Sequence, residues 1–245
     1  MNRLIRLIFT VCMLLLPVCV FAQGGVSGPK KNNGTSIGQN SGGKNSDNRG
    51  KVKPHNGGKS QVKETKGVIN GHEYIDLGLP SGLKWATCNV GASSPSDYGS
   101  YFAWGETYTK EEYTVENCHT WSKTFGNIAG NVEFDAARAN WGGSWRMPTK
   151  TECEELLNNC QWTFITIGNH NGYKVIGPNG NYIFLPAAGC RYGTSLDSSC
   201  GSKCCYWSSS PDEPNSSWGL FLSSSRRFVG RKARRYGQSV RAVTD

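Results

Sequence analysis

The spacing of apolar and polar residues changes along this chain, and each spacing predicts an element. His72-Glu73-Tyr74-Ile75-Asp76-Leu77 alternates, as a half-buried strand does. Residues 78–82, with Pro80 and Ser81, turn the chain into a second strand over 83–88, which Asn89 and Gly91 end. Residues 98–104 are rich in aromatics and predict an extended segment, and the polar stretch 107–130 predicts a long loop. Thr149-Lys150-Thr151-Glu152 reads as a capping box, in which hydroxyl and carboxylate each satisfy a free backbone N–H. The helix it opens is expected over about 150–159. Cys153, Leu156, Leu157 and Cys160 recur at i, i+3, i+4 and i+7 as its buried stripe. Glu154 and Glu155 face away, near a helix start that favours negative charge, and are read as stabilisers rather than catalysts. A hairpin follows, with strands over 173–176 and 181–185 about Gly177-Pro178-Asn179-Gly180. Further strands are predicted over 205–208, 217–222 and 238–243, joined by Ser-, Gly- and Arg-rich loops. Short antiparallel strands, one well-defined helix and long loops predict an α+β domain.

The first 66 residues follow no such pattern. Arg3 and Arg6 precede an apolar run over 7–22 that ends in Val20-Phe21-Ala22, the layout of a secretory signal cut before Gln23. That run would span about 24 Å as a helix, short of a ~30 Å hydrocarbon core, and Pro17 interrupts it. Leu16-Pro17-Val18-Cys19 loosely resembles a lipobox, but Pro17 and Val18 stand where small residues are preferred, so release is favoured over lipidation. A secreted or outer-surface location is expected, with no integral membrane span after cleavage. Residues 23–66 hold no aromatic and are dominated by Gly, Asn, Ser and Lys, the composition of a flexible tether. The folded part is then expected over 67–245.

Charge follows the same division. The formal net charge is +9, yet basic and acidic residues balance from Gly67 onward, so the excess belongs to the signal and the tether. The basic balance is therefore no argument for a nucleic-acid partner.

Of ten cysteines, Cys12 and Cys19 belong to the signal. The remaining Cys88, Cys118, Cys153, Cys160, Cys190, Cys200, Cys204 and Cys205 are disulfide candidates in an oxidising compartment. Cys153 and Cys160 lie two helical turns apart, about 10 Å, and cannot bond to each other. Cys204 and Cys205 are neighbours on a predicted strand and point to opposite faces, so they need different partners. Cys200-x3-Cys204 lacks a matching second half and Cys118-His119 stands alone, so no metal site and no cofactor is expected.

Several segments carry a resemblance. Residues 74–92 (YIDLGLPSGLKWATCNVGA), 101–106 (YFAWGE), 141–149 (WGGSWRMPT), 177–189, 206–210 (YWSSS) and 236–243 (YGQSVRAV) together resemble the Fibrobacter succinogenes major paralogous domain. The resemblance spans about 72–244 and implies a C-type lectin-like fold, related to formylglycine-generating enzymes and to the variable proteins of diversity-generating retroelements. It implies fold more than activity. Cys153, Cys190, Cys200, Cys204 and Cys205 stand where the family more usually has other residues, which implies extra disulfides about the C-terminal loops.

In lectin-like folds the C-terminal loops form the ligand face. Here they carry Arg226, Arg227, Arg231, Lys232, Arg234 and Arg235 with no acid among them, and Trp218 and Phe228 lie close by. That set is the expected binding site of a non-catalytic module for an anionic glycan or an acidic surface protein, the cations pairing charge and the aromatics stacking. Arg241 belongs to the framework instead. The competing bland reading is a solvated basic loop that balances the acid-rich segment 106–155.

Three other readings compete. Residues 205–235 are compatible with a diversified segment of retroelement type. A structural surface component accounts for the same tethered domain. An oxidase-like enzyme would use Cys200 and Cys205 beside Lys203, but no nucleophile elbow, zinc helix or phosphate loop accompanies them. Glu213-Pro214-Asn215 matches a lectin calcium tripeptide by chance, since no Trp-Asn-Asp follows it.

Overall fold

The computed structural model describes residues 65–245. The expected signal over 1–22, and the tether up to residue 64, lie outside the described residues. In chain order the elements are β1 (Lys66–Ile69), β2 (His72–Asp76), β3 (Lys84–Asn89), α1 (Ala136–Trp141) and α2 (Lys150–Asn159). There follow β4 (Gln161–Ile167), β5 (His170–Ile176), β6 (Tyr182–Pro186), β7 (Arg191–Tyr192) and β8 (Ser195–Leu196). The chain ends with β9 (Lys203–Pro211), β10 (Ser216–Ser223), β11 (Arg226–Ala233) and β12 (Arg241–Thr244). The architecture is mostly antiparallel β with two short helices.

Four sheets form, in the orders β1-β2-β3-β12, β4-β5-β6, β11-β10-β9 and β7-β8. The first is closed by the C-terminus, because β12 pairs with β3 and sets Val243 opposite Trp85. Arg241 locks that join from within. It is 1% exposed and donates to the carbonyls of Ala86, Thr87 and Phe184 and to Asn89 Oδ1, all within 3.0 Å. The framework role expected of Arg241 is the one it has.

Trp85, Trp104, Trp145 and Trp207 are almost wholly buried. Each removes ~200 Å² from water, worth about 5 kcal/mol at ~25 cal/mol per Å². Burial leaves an indole N–H to satisfy. Trp104 donates to the Ser208 carbonyl, Trp145 to that of Ile69 and Trp207 to that of Phe102, each within 2.9 Å. These bonds tie distant segments to one another, and they account for Trp-rich stretches that form little regular structure.

The helix α2 begins with the expected capping box between Thr149 and Glu152, and Cys153 and Leu156 are buried on its inner side. Arg146 adds a bidentate pair to Glu152 at 2.8 Å. The hairpin β5–β6 also forms, with Ile176 opposite Tyr182.

Elsewhere the structure departs from the sequence reading. A second helix, α1, is present; its six residues are too few to show periodicity, and its N-cap Asp135 also accepts from the backbone of Gly130 and Met147. Strand β4 was not expected and pairs with β5 along its length. Strand β1 begins at Lys66, inside the expected tether, and meets β2 through Asn70-Gly71, both at positive φ (48° and 79°). Over 98–104 the only bridge is Phe102 to Gln238. The closing strand begins at Arg241, and Gln238 and Ser239 are held by single bridges instead. Most consequential, Arg226–Ala233, expected as a loop, is strand β11 and pairs with β10 throughout. All eight candidate cysteines are free thiols in this structure. Among the described residues no helix is long and apolar enough to cross a membrane.

Candidate functional site

The register of β9, β10 and β11 aligns Cys205, Phe221 and Phe228 in one row and Lys203, Ser223 and Arg226 in the next. Side chains alternate across a strand, so these rows share one face with Lys232. Cys204, Leu220 and Leu222 turn to the other face and join the core beside Leu156 of α2.

The segment that carries β7 and β8 forms a wall opposite this face. Gly189 N–H donates to the Lys203 carbonyl at 2.9 Å, Arg191 exchanges backbone bonds with Gly237, and Asp197 N–H donates to the Cys190 carbonyl at 2.8 Å. Between wall and sheet lies a cleft of about 360 Å³, lined by Lys203, Arg226, Arg231 and Lys232, by Asp197, and by Phe221 and Phe228. It continues into a shallower, more polar lobe of about 590 Å³ lined by Tyr192, Ser195, Ser198, Ser202 and Tyr236. Asp197, Ser199, Lys203 and Lys232 line both lobes.

Tyr192 is 52% exposed and stacks on Tyr236 at 5.2 Å between ring centroids. The Lys232 ammonium sits 4.0 Å from the Tyr236 centroid, and the Arg235 guanidinium lies among Tyr236, Tyr192 and Trp121 at 5.1 to 5.5 Å. Cations held over ring faces keep their charge while the rings fix their position. Burial pushes the Asp197 carboxyl up, but bonds from Ser199 and the Cys190 thiol, with the Lys203 charge, outweigh it and hold Asp197 below the ordinary carboxylate range. Asp197 is thus an anion that lines the cleft among its cations.

The structure divides the residues expected to form one ligand face. Arg226, Phe228 and Lys232 come together in the cleft. Arg227 and Trp218 belong to the opposite face of the sheet by alternation, with Arg227 6.0 Å from the Tyr173 ring and Trp218 under the Lys150 ammonium at 3.8 Å. Arg231 reaches the cleft rim, but its guanidinium pairs with Asp212 at 3.3 Å and lies 5.3 Å from Trp218. Arg235 borders the polar lobe through its tyrosines.

Arg234 is the clear correction. It is 1% exposed, and it donates to the carbonyls of Ser216, Thr120 and Lys123 and to Ser217 Oγ. Its guanidinium is 4.3 Å from the Trp104 centroid. A side chain with its donors spent on internal carbonyls cannot meet a ligand. Arg234 is a framework arginine.

Sequence reasoning missed Tyr192, Tyr236, Asp197 and the serines as cleft residues, and saw Lys203 only as a neighbour of cysteines. Nothing local marks them, since they meet only through the pairing of 191 with 237. Cys200 and Cys205 also separate: Cys200 helps to raise the Tyr98 pKa and Cys205 that of Cys190, so the two thiols have different neighbours. Among the described residues, no group of three or more His, Cys, Asp or Glu side chains is placed to hold a metal ion.

A separate groove of about 520 Å³, bordered by Ile75, Ile167, Tyr182 and Phe184, has Lys66 as its only charged group among the described residues. Its polar lining of Thr65, Thr87, Ser94, Ser96 and Asn181 is otherwise neutral, so the basic cleft is the stronger candidate for an anionic ligand. No protein-family model, curated protein or solved structure matches this chain.

Proposed function

We propose that this chain is an exported, non-catalytic binding module with a C-type lectin-like fold, and that its two-lobed basic cleft takes an anionic glycan bearing sulfate or uronic-acid groups. The observation that carries the reading is the position of Lys203 and Lys232, which line both lobes. An acidic group between them meets two ammonium ions, while a sugar ring can lie on the Tyr192–Tyr236 pair beside the serine hydroxyls. Charge then selects for anions and the aromatic surface for rings.

The lectin-like part of the reading is supported by where the family-like segments go. YWSSS and YGQSVRAV lie side by side, with Tyr206 bridged to Ser239 and Trp207 N–H donating to the Ser239 carbonyl. These segments supply buried residues such as Tyr206, Trp207 and Val240. Arg226, Phe228, Tyr192 and Lys203 are exposed between them, which suits a ligand face on a fixed scaffold.

The test is an array of matched sulfated, uronic-acid and neutral oligosaccharides, probed with the full chain. Binding to the acidic members is expected, with the double variant Lys203→Gln/Lys232→Gln weakened by about tenfold or more. Equal binding to neutral members, or a double variant as tight as the parent, refutes the assignment. Capture of an acidic surface protein with no glycan binding would move the ligand to the second partner class expected from the sequence.

A further inference from the structure

Two thiols close the deep end of the cleft. Cys205 lies in the row with Phe221 and Phe228, and Cys190 stands on the opposing wall; both line the same cavity and both are buried, at 6% and 1% exposure. Their backbones are braced on either side. Gly189 is bonded to Lys203, Arg191 to Gly237, and Ser239 N–H to the Cys205 carbonyl at 3.2 Å, so 237–239 runs between the two cysteine-bearing segments. The Cys190 thiol donates to Asp197 Oδ2 at 3.2 Å, and the neighbouring Cys205 thiol is the first cause of its raised pKa.

The other six thiols have other neighbours. Cys88 lies against Thr87 and Cys118 against Thr120. Cys204 points to the Leu185 carbonyl, Cys200 meets Tyr98, and Cys153 and Cys160 are on or at the end of α2 in the core.

We propose that Cys190 and Cys205 are a built-in disulfide-forming pair, oxidised across the cleft by an external disulfide. Cys205, the more accessible sulfur, attacks the external S–S bond as thiolate and forms a mixed disulfide, releasing one thiolate. Cys190 then loses its proton and attacks the Cys205 sulfur, which forms the Cys190–Cys205 bond and releases the second thiolate. Two protein S–H bonds and one external S–S bond break, one protein S–S bond forms, and the two protons end on the two released thiolates. The protein pair is oxidised and the external disulfide is reduced. In the reduced state the Cys205 thiol, burial and the bond to Asp197 hold the Cys190 thiol above the ordinary cysteine range, with the Lys232 charge opposing. The inference holds whatever the cleft binds.

The experiment incubates the purified full chain with oxidised glutathione, alkylates the remaining thiols without denaturation, and maps disulfides by non-reducing peptide mass spectrometry with fragmentation. A Cys190–Cys205 link is expected, unchanged in Cys204→Ser and lost in Cys205→Ser. Oxidation should raise the melting midpoint by roughly 5–10 °C, since it closes a loop between neighbouring segments. The double variant Cys190→Ser/Cys205→Ser should melt alike under oxidising and reducing conditions, which separates a redox pair from thiols that only fill space. A link from Cys190 to any other cysteine, or both thiols left free at full oxidant exposure, overturns the proposal. The parent-chain map decides the matter even where a variant folds poorly.

Discussion

Arg226 and Arg227 are neighbours in sequence and belong to different worlds in the structure. Strand alternation sends Arg226 into the cleft with Phe228 and Arg227 toward the Tyr173 ring. Arg226→Gln is expected to weaken binding of a sulfated oligosaccharide severalfold while Arg227→Gln leaves it unchanged; titration calorimetry on the two variants checks this, and an equal loss in both refutes the facing. Arg234→Gln should behave unlike either. It strips charge-assisted bonds from Ser216, Thr120 and Lys123 carbonyls, so the fold should lose on the order of 2–4 kcal/mol by urea denaturation. No local feature distinguishes Arg234 from the arginines around it, because the carbonyls that bind it lie more than a hundred residues away at Thr120 and Lys123.

At the scale of elements, α2 and β11 teach opposite lessons. The helix was legible because its determinants are local: a capping box, an i, i+3, i+4 stripe and acids at its start all lie within eleven residues. Glu152 also ties it to the rest of the molecule. Burial pushes that carboxyl up, but Arg146 and the Thr149 backbone outweigh burial and hold it below the ordinary glutamate range. The folded-state value is therefore depressed. Its contribution is present above the unfolded value and is lost as pH falls through that value toward the lower, folded one. Glu152→Gln should cost on the order of 1–2 kcal/mol at neutral pH, and the gap from the parent should shrink on acidification, as urea midpoints at a series of pH values would show. A constant gap would mean the ion pair contributes nothing. Strand β11 was hidden because Arg226, Arg227, Arg231 and Lys232 carry little apolar alternation, and its pairing with β10 supplies the order instead. Its turn-level counterpart was readable and overlooked: Asn70-Gly71 is a strong hairpin signal, and both residues take the positive φ such a turn requires. Gly71→Val should destabilise β1–β2 by about 1–2 kcal/mol, with faster amide exchange confined to that hairpin.

For the molecule as a whole, the excess of basic residues lies before Gly67, and the part from Gly67 onward is neutral in sum yet polarised by the cleft. Cleft binding that depends on Lys203 and Lys232 should weaken as salt rises from about 0.05 to 0.5 M, since exposed charges are screened over ~10 Å at 0.1 M. Affinity independent of salt would point to the aromatic lobe alone. The sequence by itself determined the α+β class, the helix, the β5–β6 hairpin, the framework role of Arg241 and the presence of a cation-rich C-terminal region. Each of these rests on short-range periodicity, turn chemistry, composition or a recognisable motif. Only the tertiary structure decided which cations share a face, that Arg234 is internal, and that Tyr192, Asp197 and Cys190 meet Tyr236, Lys203 and Cys205. The reason is physical: a strand's alternation is set by its pairing register, and register is set by partners far away in the chain.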